Sequence, residues 1–236
     1  MSDDRDLLGL QPVSKAIEKS ADGLGAFLGK ICMPVAEEIG LYFQDKVKVW
    51  RANNATEIAR RAEKLVDANG GIEGKSIHPL LAWKIVENGS FADSSELQDA
   101  WAGLLASSCG EHPDDSNHIF IDILSQLTSL QVKIIDYSCK NSNKFVTKQG
   151  LIYSYELSVS KETIFKICDS DDLHRMDREM DKMRASGLFG LLDGGGFHPD
   201  EATVDLTPSP LCLQFYARCC GFNGSPIDFY KAKEKS

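Results

Sequence analysis

The chain has 236 residues and a mass of 26.0 kDa, with 42% hydrophobic and 26% charged residues: it is long enough for two domains with cores of their own and is neither disordered nor collagen-like. A formal net charge of -9 and a pI near 5.1 give a mean field that repels phosphate backbones and anionic lipid headgroups, so charge alone favours neither partner. The excess is heavier in residues 1–115, with 12 Lys/Arg against 19 Asp/Glu, than in 116–236, with 14 against 16, and neither half is basic.

In chain order, Ile17, Ala21, Leu24, Leu28 and Ile31 recur with a helical period broken by glycines. Pro34 is placed to open a new helix, since its missing N–H is harmless in a first turn. Val35, Ile39, Phe43, Val47, Trp50, Ile58, Ala62 and Leu65 then predict one long amphipathic helix over about 34–69, ending at Asn69-Gly70-Gly71. A short helix is expected over 79–87 and another over 95–108, where Asp93 and Glu96 have capping-box spacing and Leu97, Trp101, Leu104 and Leu105 form the inner stripe. The turn formers and acids of CGEHPDDSNH, 109–118, mark a boundary between a helical domain, 1–112, and a second domain, 118–236.

The second half reads as a helix over 120–139, a strand-forming GLIYSYELSVS, and a helix over 160–168. A helix with Leu173, Met176, Met180 and Met183 on one face follows, then the glycine-rich GLLDGGGFHPDEATVDLTP as a hairpin, and a last helix over 209–220 before a C-terminal tail. That order is the order of a winged helix. The expected fold is therefore mainly α: a helical N-terminal domain plus a C-terminal winged-helix-like, α+β domain.

ADGLGAFLGKICMPVAEEIGLYF, from residue 21 to 43, invites three readings. A phosphate-binding loop fails, because five residues separate Gly23 from Gly29 where the motif has four, and Ile31 stands where a hydroxyl is needed. A membrane span fails, because Lys30, Glu37 and Glu38 interrupt the apolar run. Ala21, Gly25 and Gly29 at a spacing of four do form a small-residue ridge that a second helix can approach closely, from the same chain, from a second copy, or replaced by a bilayer surface.

Seven scattered cysteines without a Cys-x-x-Cys pair suit reduced thiols, and the acidic MSDDRDLLGL lacks the basic and apolar regions of a signal peptide, so a cytoplasmic protein is expected, with peripheral contact at the inner membrane as the variant. Cys109, Glu111, His112, Asp114, Asp115 and His118 match no zinc spacing and read as a solvated loop. His78, His174 and His198 are isolated, with no Gly-x-Ser-x-Gly and no Arg-x(4–6)-His pattern. No catalytic, cofactor-binding or metal-ligating residue is assigned, although catalytic groups can converge in space from distant positions.

The winged-helix order raises a transcriptional regulator as the alternative function, with Arg175, Arg178, Lys182 and Arg184 facing DNA. Against them stand Asp171, Asp172, Asp177, Glu179 and Asp181, and no Lys or Arg lies between Gly187 and Thr207. Phosphate contact calls for a clearly positive face, so a protein-interaction role fits better.

GLGAFLGKICMPVAEEIG, then VKVWRANN, then IHPLLAWKIVENGSFADSSELQDAWAGLLASS and FIDILSQLTSLQVKIID together resemble the abortive infection alpha family, from about Gly23 to Asp136 and more loosely beyond. The resemblance implies antiphage defence by abortive infection and supplies no catalytic residues. It makes Gly25, Gly29, Glu37, Glu38, Trp50, Arg51, Asn54 and Trp101, with Ala21 of the ridge, candidates for a shared scaffold or interface, and points to an effector working by helix-mediated self-association or membrane-surface contact, triggered by a phage or host protein. In this reading Arg51 binds a carboxylate such as Glu37 or Glu38 from a second copy.

Overall fold

The structure, a computed structural model, describes residues 25–32, 49–190 and 203–233. The chain divides into two units, Met1–Ile121 and Asp122–Ser236; the division falls a few residues beyond the 112–118 loop expected from the sequence.

In the first unit a helical segment over 25–31 precedes α1 (Val49–Ala68), α2 (Pro79–Gly89) and α3 (Ser95–Ser107). Helix α1 packs most extensively along α3. Its buried stripe is Ala52, Ala55, Ala59, Ala62 and Val66, at alternating threes and fours, with Ile58 buried beside it. Ile58 and Ala62 were expected there, but Trp50 is 44% exposed and lies outside the core. The alanines explain the close seam with α3, which contributes Ala100, Trp101, Leu104 and Leu105.

Helix α2 starts at Pro79 behind His78, whose ring accepts from the Leu80 N–H. The cap of α3 is Ser94, whose hydroxyl accepts from the Leu97 N–H at 3.3 Å; the Asp93–Glu96 capping box is thus replaced by its neighbour, one residue on. The segment 25–31 is tied in by the Ile77 N–H on the Ile31 carbonyl at 3.1 Å and by Lys30 on Glu63 at 2.5 Å.

The helix expected over 120–139 is two helices, α4 (His118–Leu124) and α5 (Ser129–Asn141). Thr128 causes the break. Its hydroxyl accepts from the Gln131 N–H while the Gln131 side chain accepts from the Thr128 N–H, a capping box that fixes a new N-terminus. Thr128→Ala is expected to lower the stability of the second unit by about 1 kcal/mol, read as a lower midpoint of the thermal transition in far-ultraviolet circular dichroism.

Beyond α5 come β1 (Lys144–Val146), β2 (Ile152–Ser154), β3 (Ser158–Ser160), α6 (Lys161–Cys168), α7 (Leu173–Ala185), β4 (Thr203–Asp205), α8 (Pro210–Cys219) and α9 (Pro226–Lys233). β1 and β2 form one antiparallel pair. β3 and β4 form another, with Val159 opposite Val204, both buried. Met176, Met180 and Met183 of α7 are fully buried, as their spacing predicts, while Leu173 is 40% exposed. The last residues before Lys233 are a helix and not a plain tail: the Tyr230 hydroxyl donates to the Leu213 carbonyl at 3.1 Å, and Phe229 meets Tyr216 edge to face. Most of the glycine-rich hairpin expected over 190–208 lies outside the described residues.

All seven cysteines are free thiols. Cys139 and Cys212 stand 3.8 Å apart, too far for a covalent bond, and burial pushes the Cys109 thiol up to about 12.

Candidate interaction surface

The first turn of α1 meets the turn between α2 and α3 through a polar clamp. Arg51 donates from Nε and Nη2 to the Ser90 hydroxyl at 3.1 and 2.9 Å, and Ser90 itself donates to the Glu87 carbonyl at 2.7 Å. One turn along, Asn54 donates to the Ser90 carbonyl at 3.1 Å and accepts from Gln98 Nε2 at 3.3 Å. Gln98 also donates to the Ala92 carbonyl at 3.0 Å. The main chain of the turn is thus held by side chains from α1 and α3, as buried backbone polar groups require.

This clamp positions an aromatic ledge. The Arg51 guanidinium lies 3.7 Å from the centroid of Phe91, a cation–π stack. Phe91 meets Trp50 at 6.1 Å and 63°, an edge-to-face pair. Phe91 is 57% exposed. Two large, partly exposed rings therefore stand beside a network that holds the main chain on either side of Phe91.

The adjoining electrostatics stiffen the same helix pair. Hydrogen bonds from the Arg60 guanidinium, aided by Arg61, hold the Glu57 carboxyl down to about 2. Arg61 also reaches Asp99 at 2.7 Å and the Ser95 carbonyl at 3.0 Å, crossing from α1 to the start of α3.

The expected site residues distribute unevenly. Trp50, Arg51 and Asn54 come together, but Arg51 is engaged by Ser90 and Phe91 of its own unit. Ala21, Glu37 and Glu38 lie outside the described residues. Gly25 and Gly29 are half-buried, and a Cβ on Gly25 would meet no described atom within 4 Å; the buried side chains of that segment are Phe27, Leu28, Ile31 and Cys32. Trp101 is a core residue, 3% exposed, beneath Gly89. Sequence reasoning missed Phe91 and Ser90 as functional candidates. The available signal was a lone large apolar residue inside the polar turn NGSFADSS.

On α7, Arg175 lies 3.8 Å from Glu179, Arg184 pairs with Asp181, and Lys182 donates to Gln126 at 2.9 Å. Arg178 is exposed. Among the described residues no group of three or more His, Cys, Asp and Glu is gathered as a metal would need, and no helix is long and apolar enough to cross a membrane.

No curated protein and no solved structure gives a significant match to this chain. The model of one family, abortive infection alpha, matches residues 51–201. It starts at Arg51 and takes in Asn54, Ser90, Phe91 and Gln98, while the block quoted from Gly23 to Gly40 falls outside it. With well over half of its length matched, the chain belongs to the abortive infection alpha family, whose role is defence against phage.

Proposed function

We propose that this protein is a binding effector of abortive infection whose helical unit docks a second copy of itself through the Trp50–Phe91 ledge. The observation that carries the reading is the ledge: two exposed aromatic rings, backed by an arginine and fixed by a clamp. Trp, aromatic and Arg side chains dominate binding energy at protein interfaces, and a ledge already rigid in the free protein loses little entropy on docking. The reading includes a cytoplasmic location, which seven free thiols support.

In the same reading the second unit is a winged-helix-like module used for protein contact. The order α5, β3, α6, α7, β4, with the β1–β2 hairpin inserted after α5 and β3 antiparallel to β4, supports it. The ion pairs of α7 support a protein partner over DNA, because Arg175 and Arg184 each lie beside a carboxylate of their own helix.

The test combines light scattering with phage plating. The wild type is expected to self-associate at micromolar concentration and to protect cells against at least one phage of a broad panel. Trp50→Ala/Phe91→Ser, folded as judged by circular dichroism, is expected to associate at least about 30-fold more weakly, from about 2 kcal/mol lost at a hot spot, and to lose protection. A wild type that stays monomeric, or a double variant that still protects, sinks the reading.

A further inference from the structure

The second unit holds a cleft of about 480 Å³ between the β1–β2 hairpin and the chain running from β4 into α8, within the size range of ligand sites. Its walls combine two kinds of group. Phe145 and Tyr153, directly opposite in the β1–β2 register, stack at 5.9 Å and 23°, and Pro208 and Pro210 add further apolar surface. Glu156 and Asp205 supply carboxylates, and no Lys or Arg is among the described lining residues. Lys144, beside Phe145 in sequence, donates instead to the Cys139 and Ser142 carbonyls at 2.5 Å each and lies over the Tyr230 ring.

We infer that this cleft is a binding site for an arginine side chain presented by an extended peptide segment of a partner protein. The aromatic and proline faces suit the apolar stem of such a side chain. Ring faces attract a planar cation, and a carboxylate receives a guanidinium fork through paired hydrogen bonds, which favours arginine over the point charge of lysine. The carboxylates are held ready. Glu156 accepts from the Ser158 hydroxyl at 2.9 Å, and Asp205 accepts from the Thr207 N–H at 2.8 Å, which fixes the strand end that carries it. An anionic ligand would face two like charges, with no Lys or Arg among the described lining residues to offset them. The site is separate from the Trp50–Phe91 ledge and stands or falls independently of it.

The experiment is an NMR titration of the full-length, isotope-labelled protein with the probe peptide acetyl-Gly-Pro-Arg-Pro-Gly-amide. Parallel titrations use the same peptide with citrulline, neutral and nearly isosteric, in place of arginine, and methylguanidinium alone. The arginine peptide is expected to shift amides around Tyr153, Glu156 and Asp205 and to bind at least about tenfold more tightly than the citrulline peptide, a difference of about 1.4 kcal/mol. Glu156→Gln, which keeps an acceptor for Ser158, and Tyr153→Leu are each expected to weaken binding about tenfold while leaving the remaining amide spectrum in place. Equal binding of the two peptides, shifts centred elsewhere, or no saturable shift up to about 5 mM overturns the inference. Methylguanidinium binding as tightly as the peptide overturns the peptide assignment and leaves a small-cation site.

Discussion

Gly89→Leu is expected to destabilise the helical unit by more than about 3 kcal/mol, the upper end of what overpacking costs. Gly89 closes α2 where α1 and α3 converge. A Cβ there would stand 3.0 Å from Ile58 Cδ1, 3.2 Å from Trp101 Cγ and 3.4 Å from Trp101 Cβ. Both neighbours are core side chains, Ile58 at 0% and Trp101 at 3% exposure, so neither can swing into solvent. For Gly89→Ala the crowding is set against the roughly 1 kcal/mol that alanine gains over glycine in a helix, and a net loss below about 2 kcal/mol is expected. Leucine adds three further carbons beyond a Cβ that is already crowded.

The counterpart is Trp101→Ala, expected to cost about 3–5 kcal/mol through the cavity it leaves. Because the two residues touch, the double variant Gly89→Leu/Trp101→Ala should lose less than the sum, as the leucine enters the vacated volume. Urea unfolding followed by tryptophan fluorescence reads this unit alone, since Trp50, Trp83 and Trp101 all precede Ile121. Trp50 and Trp83 keep the signal in the Trp101 variants. A Gly89→Leu protein as stable as wild type would show that the close approach is wrong. Gly25→Leu is the control: with no described atom within 4 Å of its Cβ position, it is expected to cost no stability and to gain at most the roughly 1 kcal/mol that replacing a helical glycine brings.

The contrast between Gly25 and Gly89 illustrates what could be read in advance. A spacing of four among Ala21, Gly25 and Gly29 is a pattern within one segment, visible to inspection. Gly89 is a contact glycine only because Ile58 and Trp101 arrive from other helices, and nothing in ENGSF announces them. Local signals carried well where one element decided the outcome. The methionine stripe of α7 follows from helical period, and the helix expected over 160–168 is α6, Lys161–Cys168, with Ser160 at its cap. They failed where small side chains or a single hydroxyl did the work. The inner face of α1 is mostly alanine, so a search for large apolar residues assigned Trp50 inward. Thr128 splits an apolar run that reads as one helix. Trp50, Arg51 and Asn54 were visible as an odd cluster within a helix, but their partners, Ser90, Phe91 and Gln98, lie 36 to 44 residues further on, and only folding brings them together.

Arg51→Ala is expected to destabilise the same unit by about 2 kcal/mol, combining hydrogen bonds from a charged donor with an exposed cation–π stack. Ser90 keeps its own donation to the Glu87 carbonyl, which limits the loss. Arg51→Lys is expected to recover less than half: an ammonium has no fork with which to give Ser90 two hydrogen bonds while standing over Phe91, whereas the guanidinium gives both with its carbon 3.7 Å from the ring centroid. Phe91→Ser alone should cost less, because it leaves the Ser90 hydrogen bonds in place. The Arg51→Ala/Phe91→Ser cycle should then return a coupling of about 0.5–1 kcal/mol, the stacking energy itself. If Arg51→Lys unfolds at the wild-type urea concentration, the planar clamp is not what holds the turn. The aromatic ledge would then be set by the Asn54 and Gln98 bonds, and Asn54→Ala would have to carry the loss that the structure assigns to Arg51.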